Sequence, residues 1–448
     1  MVTIEQAQDR AAAIVERARA AGADAADAVF AADTALDVSV RLGALEDVGR
    51  SESEELGLRV FAGQRSASVS TSDFSEHALA ALVERAVAMA REAPEDAWAG
   101  LAPKERLMRG APPQLDLDDG GEAAPESLRE AALAAEDAAR AVAGVTNSEG
   151  GSASASRSIW ALATSHGFAA AYAATGYGLS ASVLAGEGGL MVRDYAYHST
   201  RRRRDLDSAE VIGTRAGERT VARANPGRVE SGALPVVFDP RVGSSLLGHF
   251  IGAIGGQAIT RRTSFLLDAL GTAVFASGVR IEDDPHRPRG LRSRPFDGEG
   301  LPVSPFAIVQ DGMLESWLLD SASARQLGLE PTGHAARGVG GAPGVSTSNL
   351  HMAAGHLSVQ ALMADIPRGI YITELIGMGV NGVTGDYSRG AAGFLIENGE
   401  ITTPVAEFTI AGNLKDMFRE LTPANDLEFR YATNAPTVRI DGMTVASG

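Results

Sequence analysis

Residues 246–256 read LLGHFIGAIGG, one histidine in an otherwise apolar run. A helix that holds catalytic zinc places a glutamate beside such a histidine and a second histidine a turn later. The imidazoles then ligate the metal and the carboxylate activates its water. Here Phe250 follows His249, and no second histidine falls within the run. A second pair, His351 and His356 in HMAAGH, has the spacing of HExxxH, but Met352 stands where the glutamate belongs. That segment alternates like a strand, on which positions five apart point to opposite faces.

Other patterns carry less chemistry than they promise. GMGVNG matches a dinucleotide fingerprint after the strand-like GIYITELI, and Glu397 lies at a suggestive distance. The fingerprint requires a helix to start at the glycines, and VTGDYSRGAAGF, with Gly385, Gly390 and Gly393, is a poor helix. GDYSRG is one residue too long for a nucleophile elbow. Arg201 to Arg204 resemble a polyanion patch, but Asp205 and Asp207 follow at once, so local ion pairing is expected. The acid pairs Asp283–Asp284 and Asp297–Glu299 sit among Pro and Gly, where a hard cation or plain solvent would suit them.

The densest unusual stretch runs from Thr373 to Glu400 and combines many glycines with Asn381, Thr384, Asp386, Tyr387, Ser388 and Arg389. Glycine lets main chains approach closely, and small polar groups can bond to an extended chain. A functional wall is the expectation here, with those six residues as its lining and His249 as a further cavity candidate.

These residues need a frame. Ile4, Ala7, Ala11, Ile14, Val15 and Ala18 form a helical stripe. DAVFAA, ALDVSVRL, LGLRVFAG and SASVST alternate as four strands, and a helix over 75–92 follows. Residues 94–125, rich in Pro, Gly and Asp, read as a linker or long loop. A helix over 126–142, four strand-like runs (VTNSEG, SIWALATS, FAAAYAATGYGLSASVL, LMVRDYAYHS) and a helix over 208–224 repeat the order. The repetition suggests two related layers. After Pro226 and Gly227 the chain becomes short alternating segments with frequent turns. The expected class is α+β. It has an N-terminal α/β region over 1–228, with sub-units 1–93 and 126–228, and a β-rich, barrel- or sandwich-like domain over 229–448.

Composition narrows the function. Lys+Arg 40 against Asp+Glu 57 gives a net charge of −17, which repels phosphate backbones and makes a nucleic-acid role unexpected. The absence of cysteine excludes disulfides, thiolate zinc sites, iron–sulfur clusters and a cysteine nucleophile. The first residues contain acids and no apolar core of a signal peptide, and no uncharged run is long enough for a membrane span. A cytoplasmic protein is expected.

At the 373–400 segment the chain resembles the TldD/PmbA family, and most closely its PmbA (TldE) branch. The stretches that carry the resemblance are GHFIGAIGGQAITRRTSFL, IEDDPHRPRGLRSRPFDGEG, PTGHAARG, ITELIGMGVNGVTGDYSRGAAGFLIENGEITTPVAEFTIAGNLKDMF and TVRIDGMTVASG. They cover most of residues 235–448 in order, and the N-terminal half fits in organisation. The resemblance implies a cytoplasmic heterodimeric metallopeptidase for unfolded peptides. In such a pair a TldD-like subunit carries zinc on HExxxH, and the PmbA-type chain lacks the motif. Aligned on its histidine, His249 would stand at the first ligand, Phe250 at the glutamate and Ile254 at the second histidine. This chain is then expected to hold no cofactor and to be inactive alone, closing a cavity and holding substrate. A non-enzymatic regulatory or peptide-binding homodimer, of gyrase-modulator type, is the alternative.

Overall fold

The computed structural model describes residues 2–188 and 191–447. Helix α1 (Ile4–Ala20) starts at Thr3, whose hydroxyl accepts from Gln6 N while the Gln6 side chain accepts from Thr3 N. Ser75 and Ser208 cap α2 (Glu76–Glu92) and α4 (Ala209–Ala222) through the same hydroxyl chemistry, and α3 (Pro125–Arg140) opens on proline. Between them run six strands: β1 (Ala25–Arg41), β2 (Ala44–Ala62), β3 (Arg65–Thr71), β4 (Val145–Thr164), β5 (Ala169–Ala185) and β6 (Val192–Thr200).

Each half holds three strands, where sequence alternation suggests four. DAVFAA and ALDVSVRL are one strand, β1, and VTNSEG and SIWALATS are one strand, β4. Leu190, which opens the last predicted run, lies outside the described residues. The halves are also one sheet and not two layers. Its order is β3-β2-β1-β4-β5-β6, antiparallel throughout, and β1 joins β4 from Asp27–Thr164 to Val40–Gly151. All four helices cover one face. Phe30, Leu56, Leu58 and Val60 pack under α1 and α2, and Val38, Leu179 and Val183 pack under α3 and α4. Each fully buried Leu, Val or Phe contributes about 1.5–3 kcal/mol. The face away from the helices carries small polar side chains in register, such as Ser39–Ser152–Ser180 and Asp37–Ser154–Gly178.

The 94–125 segment is loop except for one short turn at Lys104–Arg106, but it is bound down. Leu101, Leu107, Leu115 and Leu117 are buried, and Met108 N and Arg289 N tie it to the C-terminal half at Gly300 O and Leu115 O. Arg202 joins the same strap through Asp119, at 2.7 Å, and Asp116. Arg201 is turned inward, donating to Thr175 O at 2.9 Å and to Leu291 O. These arginines hold loops together, which accounts for them without a polyanion.

Strand β7 (Gly232–Phe238) pairs in parallel with the 368–380 strand and antiparallel with 438–447. The 386–397 and 400–413 strands follow, and 408–411 pairs back onto 444–447. These five strands close a barrel, a class in keeping with the sequence pattern. A second small sheet holds 281–283, 306–310, 313–314, 350–352 and 433–434. Helix α5 (Pro240–Ile254) leaves β7 through the N-cap Asp239 and buries Leu246, Leu247, Phe250, Ala253 and Ile254 in the barrel core. No described helix is long and apolar enough to cross a membrane.

Two carboxylates staple the halves. Asp27 of β1 accepts from Arg59 Nε at 2.9 Å and from Arg337 Nη2 at 2.9 Å. Asp194 of β6 accepts from Arg241 at 2.9 Å and Arg223 at 3.3 Å, and Arg223 continues to Glu374. Burial pushes both carboxyls up, but their arginines outweigh it and hold them below the usual range. Beside this seam Phe296 packs on Phe168, Trp160 and Tyr172, with centroids 5.1, 5.7 and 5.7 Å away.

Candidate functional site

The 373–400 segment is the barrel hairpin formed by the 368–380 and 386–397 strands, and α5 packs beside it. Its glycines serve close approach. A Cβ on Gly379 would lie 2.0 Å from Ser388 O, and Gly377 takes φ +80 at the register shift between Ile376 and Gly379. The strand runs on through GMGVNG into a tight turn, so no helix N-terminus faces outward there.

Six of the seven predicted residues separate into two groups. Asn381, Thr384 and Asp386 build the turn. Asn381 Oδ1 accepts from Val383 N at 2.9 Å and Thr384 N at 3.2 Å. Thr384 donates to Asp386 at 2.6 Å, and Asn413 donates to Asp386 and to Thr384 O at 3.1 Å. These hydrogen bonds, Thr384 first, hold the Asp386 carboxyl below its usual range. Ser388 is exposed.

Tyr387, Arg389 and His249 form the other group. Tyr387 is buried, and its ring meets His249 edge-on with centroids 6.0 Å apart. Neither the Tyr387 hydroxyl nor His249 Nε2 has a hydrogen-bond partner, although both atoms are buried. Burial pushes the Tyr387 phenol up to about 12, against a smaller opposing pull from Arg389. Burial and then the Arg389 charge lower His249, favouring neutral imidazole. Arg389 donates to Ile376 O at 3.3 Å. Such a cluster can donate from the phenol and offer an imidazole nitrogen to a peptide group or carboxylate.

Polar chemistry did not point to the neighbouring apolar tip. Ile376 is 58% exposed, Met378 86% and Val383 56%. Their only sequence signal is that they are the apolar residues interleaved among the glycines of IGMGVNGV.

The metal question turns on α5. Phe250 and Ile254 are fully buried, and Phe250 packs on Phe275 at 5.0 Å and Phe418 at 6.0 Å. Both positions are used by the core. His249 lies about 100° round the helix from Phe250, and the charge that acts on it is the Arg389 cation. This donor set does not fit zinc. No group of three His, Asp or Glu suited to a metal occurs among the described residues. His351 faces Glu282 at 3.4 Å in the small sheet, and His356 is exposed. Asp283 accepts from Ser348 N at 2.8 Å, and Asp297 from Leu301 N and Glu299 N at 2.9 Å, so these acids are engaged by backbone.

A helix-backed six-stranded sheet is stapled to a closed barrel, with a glycine-rich hairpin beside an apolar helix, an α+β fold. Three family descriptions match in order: PmbA/TldA metallopeptidase domain 1 over 26–90, the central domain over 118–224 and the C-terminal domain over 231–447. The chain is 41% identical to metalloprotease PmbA of Escherichia coli O157:H7 over 425 residues, covering 94% of this chain and 92% of that protein. It is 38% identical to a PmbA homolog of Haemophilus influenzae, covering 96% and 94%. A solved structure from Bacteroides thetaiotaomicron, described as a candidate modulator of DNA gyrase, superposes with TM-score 0.91 at 27% identity over all of both chains. TldE from Thermococcus kodakarensis shares the fold, with TM-score 0.86 at 20% identity over 97% and 99%. The chain belongs to the PmbA/TldD metallopeptidase family.

Proposed function

We propose that this chain is the non-zinc subunit of a two-chain cytoplasmic metallopeptidase that acts on unfolded peptides. The observation that carries the reading is on α5: the positions that would complete a zinc motif, Phe250 and Ile254, are core residues. The partner, of TldD type, supplies HExxxH and the zinc. This chain closes the cavity and holds substrate with the hairpin. Ile376, Met378 and Val383 give apolar contact, while His249, Tyr387 and Arg389 give the polar one. Extended peptide suits a strand edge, since main-chain hydrogen bonds ask little of side chains. The test is cleavage of an unstructured peptide by the chain alone, by a TldD-type partner alone and by the pair. Activity restricted to preparations containing the partner is expected. Zinc-dependent turnover by this chain alone would overturn the proposal.

A further inference from the structure

Strand β2 is 19 residues long, but β3 covers only its second half, from Leu56–Thr71 to Ala62–Arg65. Residues 44–55 pair with β1 on one side, with one bulge at Glu46 near the hairpin end, and no described strand meets their other edge. That leaves about 40 Å of main chain at ~3.4 Å per residue, with outward N–H and C=O groups outside any ladder. Ten of the twelve residues are exposed, and Gly49 and Glu54 are half-buried.

Proteins blunt such an edge with proline, lysine, bulges or a covering loop. The sequence ALEDVGRSESEE has neither proline nor lysine. It has acids: Glu46, Asp47, Glu52, Glu54 and Glu55, against Arg50 alone. Arg50 engages Glu52, and Arg10 of α1 engages Glu54. Glu46, Asp47 and Glu55 have no ion pair among the described residues. Leu45 and Val48, 47% and 46% exposed, add apolar contact on one face of the strand, where the bulge at Glu46 sets them opposite Val40 and Val38.

We infer that the unpaired edge of β2 is a strand-addition site for an extended, lysine- or arginine-bearing polypeptide segment. The edge supplies main-chain hydrogen bonds that any sequence can use. The three unpaired carboxylates supply the preference for basic side chains. A second copy of the same edge is a poor occupant, because it would set acid against acid across the ladder, and like charges directly opposite destabilise a strand pair. The inference rests on the peptide-holding role and gives it a substrate class: unfolded basic segments, captured on the N-terminal sheet away from the barrel hairpin.

Fluorescence anisotropy on the isolated full chain tests it. The probes are labelled peptides that alternate threonine with lysine, glutamine or glutamate. At low salt the lysine peptide is expected to bind about tenfold more tightly than the glutamine peptide, and the glutamate peptide least tightly. A lysine peptide N-methylated at alternate amides keeps its charge and loses one hydrogen-bonding edge, so it is expected to bind roughly tenfold more weakly. The exposed triple variant Glu46→Lys, Asp47→Lys, Glu55→Lys is expected to reverse the order of the charged peptides. Equal binding of the methylated peptide, or an unchanged order in the triple variant, overturns strand addition here. Neither partner nor cleavage enters this assay. Its failure therefore leaves the cleavage test of the subunit reading intact, and failure of that test leaves this one intact.

Discussion

At the start of α5, Arg241 and Arg223 converge on Asp194 of the N-terminal sheet. Just over two turns along the same helix, His249 meets Tyr387 beside Arg389, and no carboxylate is among their partners. At the seam each buried acid has two guanidinium partners: Arg223 and Arg241 for Asp194, Arg59 and Arg337 for Asp27. At the hairpin the Tyr387 hydroxyl, Thr373 Oγ1 and the facing His249 Nε2 are buried without a hydrogen-bond partner, whereas at the seam Arg241 and Arg337 leave Nε unpaired but engage their carboxylates through other nitrogens. Charge that is matched within the chain holds domains together. Polar groups left unmatched are what a ligand or a second chain can complete.

The seam should break hardest. Arg337→Ala leaves a buried Asp27 with one cation, and loss of one partner of a buried pair costs about 3–5 kcal/mol. Urea unfolding is the measure, and a loss below about 1 kcal/mol would remove the staple from the comparison. Asp194→Asn should cost about 2–3 kcal/mol. That is less than the Arg337 change, because Arg223 keeps Glu374.

A pH effect sharpens the contrast. Glu299 is buried beside the seam, and burial, then the neighbouring Asp297 charge, push it up to about 7 against hydrogen bonds from Ser321. The folded chain thus keeps a proton that the unfolded chain releases near the ordinary 4.5. Stability is expected to fall as pH rises from the unfolded value to about 7, then to level off. Glu299→Gln should remove that slope and stabilise the protein at pH 8 by on the order of 2 kcal/mol. Parallel stability curves for variant and parent between pH 5 and 8 would refute this assignment of the proton.

The contrast was only half legible in the sequence. Helices followed from the apolar stripe of α1 and from the caps Thr3, Ser75 and Ser208, which are local signals. Strand count did not follow. Asp33–Thr34 and the Ser–Gly run after Glu149 look like turns, yet both are paired on two sides within the sheet. Strand preference depends on such neighbours. The oddity of His249 and the glycine-rich hairpin were visible. That Asp386 is also held by Asn413 was not, because that partner lies 27 residues away. Nor could spacing show that Tyr387 turns inward to meet a residue of another element.

The smallest change probes the unmatched side of the comparison. Tyr387→Phe keeps the ring against His249 and removes only the buried hydroxyl that has no partner. At Arg337 the lost group was matched, so its removal destabilises. At Tyr387 the lost group has nothing to lose within the chain, and relief of its desolvation should leave stability unchanged or raise it by up to about 1 kcal/mol. If that hydroxyl is held ready for substrate, peptide capture by the paired enzyme should weaken while folding does not, read as a higher KM at similar kcat. A destabilised variant would mean that the hydroxyl is already matched, and the hairpin would then belong with the seam. Unchanged stability with unchanged KM would move the substrate contact to the apolar tip, where Met378→Ser would be the next residue to separate binding from folding.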